Sequence, residues 1–181
     1  MLAKIINIYK KTLNIIGLFE KWFGIFLLSS LVIIMNAQVF FRYVLGNAIV
    51  WAEEYLIYAF IVAIFVGASY GYKKKRHTTI TTLVERLPSN FKYFYFIFKY
   101  SIIILACIAL LIGGSISFQM ESRQTTISLP IVLPRYLFYS VPILYCATSI
   151  IFTSIYEIIL LIIMPIKKFD KQIQEEGVTL N

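Results

Sequence analysis

The chain has 181 residues, 60% hydrophobic, 17% aromatic and only 14% charged, with a mean hydropathy of +0.80. Soluble domains carry about 25% charged residues, so this balance excludes an ordinary soluble fold and places the chain in the membrane class. The net charge of +8 does not mark a nucleic-acid partner, because the basic residues are sorted along the chain by side rather than clustered on one face.

Residues 2–20 carry Leu2, Ile5, Ile6, Tyr9, Leu13 and Ile16 at helical spacing, with Lys4, Asn7, Lys11 and Asn14 on the other face. That pattern predicts an amphipathic helix lying in the membrane plane; the alternative is a simple extension of the first span. Basic residues before an apolar run imitate a secretory leader. The run is too long for one and no A-x-A-like cleavage site follows, so the segment is expected to be retained.

The first predicted span covers about 22–44, enough to cross ~30 Å of hydrocarbon as a helix. Asn36, Gln38 and Arg42 lie in its outer half, where polar groups face protein or an aqueous pocket. Gly46-Asn47 marks a short turn. The second span, 50–72, opens with Trp51-Ala52-Glu53-Glu54, two carboxylates that suit a helix N-terminus. An ion pair from Arg42 to Glu53 or Glu54 is expected across the turn. Adjacent residues on a helix point ~100° apart, which argues against the two carboxylates sharing one catalytic proton or cation.

Ala59, Ala63, Gly67 and Gly71 form a ladder of small residues that lets another helix approach closely, inside the subunit or from a partner. Lys73–His77 follow as a basic cluster. His77 is the single histidine, and no ligands at metal-binding spacing accompany it. Ile80, Leu83, Val84 and Leu87 predict a second in-plane helix over 79–87, ended by Pro88.

The third span, 92–120, begins with an interfacial aromatic belt. It carries Lys99 two turns in and a shorter small-residue ladder at Ala109, Gly113 and Ser117. The loop Glu121–Pro134 includes Arg123 and two prolines. The fourth span, 134–163, contains Pro142, expected to bend or weaken it. Glu157 lies at a depth similar to Lys99, so the two either pair or each reach the interface separately. The tail, 167–181, is polar.

These elements predict an all-α integral membrane protein in one domain, 1–181, with four transmembrane helices. With the N-terminus cytoplasmic, fourteen of the seventeen lysines and arginines fall inside, leaving only Arg42, Arg123 and Arg135 outside. Both termini are therefore expected in the cytoplasm. Anionic lipid head groups would meet the flanking lysines. No nucleotide, hydrolase, metal or cofactor motif is present, nor an inverted repeat. Three function classes stay open at this level. One is an accessory membrane subunit without chemistry of its own. The others are a thiol oxidoreductase using Cys107 and Cys146, and a small homo-oligomeric channel using Asn36, Gln38 and the small-residue faces.

The segment from Arg42 to Pro88 narrows the choice. Arg42-Tyr43-Val44-Leu45-Gly46-Asn47, Trp51-Ala52-Glu53-Glu54, Gly67-Ala68, and a basic run into His77 followed by Ile80, Leu83, Leu87 and Pro88 resemble the small, DctQ-like membrane subunit of tripartite ATP-independent periplasmic (TRAP) transporters. Thr81 departs from the acidic residue that family often has four positions after the histidine. The resemblance implies a bacterial inner-membrane importer of organic acids such as C4-dicarboxylates or sialic acid, driven by sodium. Its partners would be a large multi-span subunit, a periplasmic substrate-binding protein and membrane lipids, with no cofactor and no enzyme activity in this chain. The small subunit would be a scaffold. Arg42, Trp51, Glu53 and Glu54 would lie near a docking surface, and His77 with 80–87 would brace the cytoplasmic side. Gly67, Gly71, Lys99, Glu157 and Arg123 complete the candidate structural or interface residues.

Overall fold

The computed structural model describes residues 2–74 and 89–163. They form four long helices: α1 (Leu2–Tyr43), α2 (Val50–Lys73), α3 (Ser89–Glu121) and α4 (Ser140–Ile163), with a 3-10 turn, Arg135–Leu137, leading into α4. Each of the four is long and apolar enough to cross a membrane. His77, the helix expected over 79–87 and the tail over 167–181 lie outside the described residues.

α1 packs on α2, α2 on α4, and α4 on α3. The two middle helices therefore form the heart of the bundle, and α1 and α3 form its flanks. In the most apolar stretch of each helix, 44% of residues are buried in α4 but 11% in α1 and in α3. The flanks turn most of their side chains outward.

α1 differs from the sequence expectation. It runs unbroken for 42 residues, ~63 Å, about twice the hydrocarbon thickness. The separate in-plane helix expected over 2–20 is replaced by a direct continuation of the first span. Its apolar face does not wait for lipid. Ile6, Tyr9 and Leu13 pack on Phe96 and Tyr100 of α3 and on Tyr156, Leu160 and Leu161 of α4. The Tyr9 hydroxyl donates to the Phe152 carbonyl at 2.9 Å, and its ring stacks on Tyr156 at 5.3 Å between centroids.

Further along, Leu27 and Leu31 meet Ala59 and Ala63 of α2. The Ser30 and Tyr55 hydroxyls share a hydrogen bond of 2.8 Å within the same contact. The turn into α2 places Gly46 at φ 64, a left-handed conformation that a side chain would strain. The predicted small-residue ladder is thus used in part. Ala59 and Ala63 seat α1, whereas a side-chain carbon added at Gly67 would meet nothing within 4 Å.

On α3 the ladder of Ala109 and Gly113 faces outward, and the glycine that matters is its neighbour. A carbon added at Gly114 would lie 3.0 Å from Leu144 Cδ2 and 3.3 Å from Ile143 Cγ2, while one at Gly113 meets nothing within 4 Å. Gly114→Leu is expected to push α3 off α4 and lower stability by about 1–3 kcal/mol, with Gly113→Leu near neutral. Unfolding midpoints of the two variants in the same detergent check this; equal midpoints would contradict the packing.

α4 also begins later than expected. Residues 134–139 form the 3-10 turn and its flanks, and the helix starts at Ser140. Pro142 therefore sits in the first turn, where the missing N–H has no helical acceptor to lose, and it does not interrupt the span.

Candidate functional site

Two polar knots hold the helices together, one near each end of the α1–α2 hairpin. At the end formed by the C-terminus of α2, Glu20 of α1 is 2% exposed. Its Oε1 accepts from Lys73 Nζ at 2.5 Å, Ser69 Oγ and Tyr145 OH at 2.7 Å each, and Ser149 Oγ at 3.4 Å. Ser69 Oγ and Ser149 Oγ also lie within hydrogen-bond distance of each other, at 2.8 Å. One carboxylate oxygen thus gathers donors from α2 and α4 onto α1. A buried charge pair is stable only with such extra donors, because each ion has lost its water. Tyr72 and Ser154 share a further bond of 2.6 Å between α2 and α4.

At the opposite end, the two adjacent carboxylates of α2 take different roles. Glu53 meets Arg42 Nη1 at 3.5 Å, with both side chains more than half exposed. This is the ion pair expected across the turn; its exposure makes it a weak contributor. Glu54 turns toward the loop between α3 and α4. It accepts the N–H groups of Ile127 at 3.0 Å, Ser128 at 2.5 Å and Leu129 at 3.0 Å, and the Tyr58 hydroxyl at 2.6 Å. The Tyr58 ring then stacks on Phe138 at 4.6 Å and meets Tyr139 edge-on. Thr126 closes the loop on itself, donating to the Ile131 carbonyl and accepting the Leu133 N–H, both at 3.0 Å. Thr125 and Pro134 form an isolated antiparallel bridge. Ser140 ties the start of α4 to Glu121 at the end of α3.

Of the other expected residues, Trp51 lies edge-on to Tyr55. Arg123 is exposed, Gly67 is exposed and Gly71 half-buried. Lys99 sits 5.8 Å from the Tyr100 ring centroid, and Glu157 is buried. Gln38 is buried against protein, and Asn36 bonds back to the Val32 carbonyl at 2.7 Å. Cys107 and Cys146 are free and buried. Among the described residues no group of His, Cys, Asp and Glu comes together to hold a metal.

The Glu20 knot is what sequence reading missed. Its signal is that Glu20 is the sole acidic residue before Glu53, and apart from Lys21 it is set among apolar neighbours. Two apolar cavities flank the knot, of about 560 and 280 Å³, between α1 and α4 and around Phe19, Phe23 and Val66. Neither wall contains a lysine or arginine, the groups that grip a carboxylate solute.

Comparison with known proteins accords with this geometry. The family model described as tripartite ATP-independent periplasmic transporters, DctQ component, matches residues 31–163. A C4-dicarboxylate TRAP transporter small permease protein from Vibrio cholerae is 28% identical over 95 residues, covering 52% of this chain and 41% of that protein. A putative TRAP transporter small permease protein from Haemophilus influenzae is 30% identical over 122 residues, covering 67% of this chain and 71% of that protein. The aligned part thus spans less than half of the Vibrio relative. The match covers the end of α1, the other three spans and both knots except Glu20, and on it the chain belongs to the DctQ component family of tripartite ATP-independent periplasmic transporters.

Proposed function

We propose that this chain is the small membrane subunit of a sodium-coupled organic-acid importer, a scaffold that holds a large multi-span subunit in the bilayer and helps to seat a periplasmic binding protein. The family is one of non-catalytic transporter components. The name of the Vibrio relative makes a C4-dicarboxylate or related carboxylate the natural solute class. The observation that carries the scaffold reading is the knotted centre with open flanks. Glu20 fastens α1, α2 and α4 together, while α1 and α3 present broad apolar sides. A rigid core with two free faces suits a brace, and the apolar cavities offer no grip for an anion.

In this reading both termini are cytoplasmic, so the Arg42–Glu53 end faces the periplasm and the Glu20–Lys73 end the cytoplasm. The candidate interface residues divide accordingly: Arg42, Trp51, Glu53, Glu54 and Arg123 outside, His77 inside, and Gly67 and Gly71 on a helix face open to a neighbour.

Affinity purification of the full chain from its native membranes tests this. A larger multi-span protein is expected to accompany it, and the purified chain alone in liposomes is expected to move no dicarboxylate under a sodium gradient. Uptake by the chain alone would overturn the scaffold reading.

A further inference from the structure

The loop from Thr125 to Pro134 has a side-chain pattern that does not suit open water. Ile127, Ile131 and Val132 are 81, 66 and 72% exposed. No charged residue occurs between Arg123 and Arg135. Many of the polar groups of the loop are turned inward instead. The N–H groups of residues 127–129 go to Glu54, that of Thr126 to the Leu133 carbonyl, that of Leu133 to the Thr126 hydroxyl and that of Arg135 to the Gln124 carbonyl. Pro130 and Pro134 have no N–H to satisfy. A loop with five of its eight backbone donors bonded internally and its aliphatic side chains outside suits a medium poorer in water than bulk solvent.

Its depth identifies that medium. The loop does not stand above the bundle; it lies beside the first two turns of α2. Glu54 reaches its backbone, and Phe138, just beyond it, stacks on Tyr58 one turn further in. Glu121 and Ser140, which bond to each other, mark where the spans on either side begin. The exposed aliphatic cluster is therefore level with the edge of the membrane-crossing helices, where exposed apolar surface meets lipid. Of the two flanking arginines, Arg123 fits the same place: it is exposed next to the loop, where a guanidinium meets lipid phosphate, while Arg135 is half-buried and donates to Gln124.

We infer that the Thr125–Pro134 loop is an interfacial wedge. Ile127, Ile131 and Val132 enter the boundary between head groups and acyl chains in the leaflet at the Arg42–Glu53 end, and Arg123 holds the phosphates above them. A protein covering the loop, or water around it, are the competing outcomes.

Spin labels on the full-length chain separate the three. Ile131→Cys, Val132→Cys, Arg123→Cys and Ile112→Cys are each made in a Cys107→Ala, Cys146→Ala background. The proteins are placed in vesicles of phosphatidylethanolamine and phosphatidylglycerol. Collisions with oxygen, which concentrates in lipid, are compared with collisions with a water-soluble nickel chelate. At residues 131 and 132 the nickel collisions are expected to be lost and the oxygen collisions retained, as at Ile112 on the outward face of α3; at residue 123 nickel collisions persist. Nickel collisions at 131 and 132 as frequent as at 123 would put the loop in water and overturn the inference. Shielding from both reagents, with Ile112 still reading lipid, would show a protein surface over the loop and overturn it equally.

Discussion

Lys73→Met is expected to lower the stability of the bundle by about 3–5 kcal/mol, the cost of leaving a buried charge without its partner. The substitution keeps an unbranched side chain one atom shorter and removes its charge. Glu20 would then remain almost wholly enclosed, with hydroxyls from Ser69, Tyr145 and Ser149 as its remaining donors. Hydroxyls solvate a carboxylate but do not neutralise it, and the enclosed charge has no water to fall back on. Because the fault lies in the orphaned charge, removing the second partner should repair most of it: Glu20→Met with Lys73→Met is expected to recover stability to near the parent, as buried ion pairs replaced by apolar residues often do. Reversible unfolding in mixed detergent micelles, followed by circular dichroism, measures the single variant, the double variant and the parent. If Lys73→Met alone matched the parent, the pair would have no structural role, whatever its geometry.

Glu54→Ala is expected to release the loop between α3 and α4 while Glu53→Ala leaves it in place. The two carboxylates are neighbours in sequence and carry the same charge, so composition cannot distinguish them. Geometry does. Glu54 accepts three backbone N–H groups and a tyrosine hydroxyl, whereas Glu53 makes an exposed pair with Arg42. Loss of the Glu54 acceptor should cost about 1.5–3 kcal/mol rather than the sum of four bonds, since a released loop can rearrange to give some of its N–H groups other acceptors. Hydrogen exchange at residues 127–129 should quicken by about tenfold or more, the factor that 1.4 kcal/mol supports. Glu54→Gln, which keeps one carbonyl acceptor, should fall between. Equal exchange in the Glu53 and Glu54 variants would remove the Glu54 anchor from the account.

Much of this fold was legible in the residues because the bilayer imposes a simple rule: each crossing must be a long apolar run with its backbone satisfied within itself. Four such runs gave four helices, with Arg42 facing Glu53 across a turn too short to allow much else. What escaped was tertiary. Lys73 resembles the lysine beside it, and nothing local says that its ammonium turns back into the bundle toward a carboxylate 53 residues earlier. Gly113 and Gly114 are alike as letters; only the direction of their missing side chains separates the open position from the one pressed against Leu144. The amphipathic pattern over 2–20 was real, but a pattern records that one face is apolar and not what covers it. Here the cluster of Phe96, Tyr100 and Tyr156 covers part of it, at Ile6, Tyr9 and Leu13. Pro142 was misjudged because the start of α4 depends on the preceding 3-10 turn, which hydropathy does not see.

The ion pairs at the two ends of the α1–α2 hairpin have a bearing on the surrounding membrane. Glu20 and Arg42 are 22 residues apart on α1, and Glu53 and Lys73 are 20 apart on α2, so the paired charges are separated by roughly 30–33 Å along each rod. Sliding one helix along the other would part the buried Glu20–Lys73 pair, so the hairpin has a preferred gauge, held mainly at that end. Where the local hydrocarbon is thinner or thicker than this gauge, the hairpin tilts or the lipid stretches or compresses to match, at a fraction of a kcal/mol per ångström of mismatch. The hairpin is in that sense a calliper, and it gives the chain a preferred bilayer thickness of its own.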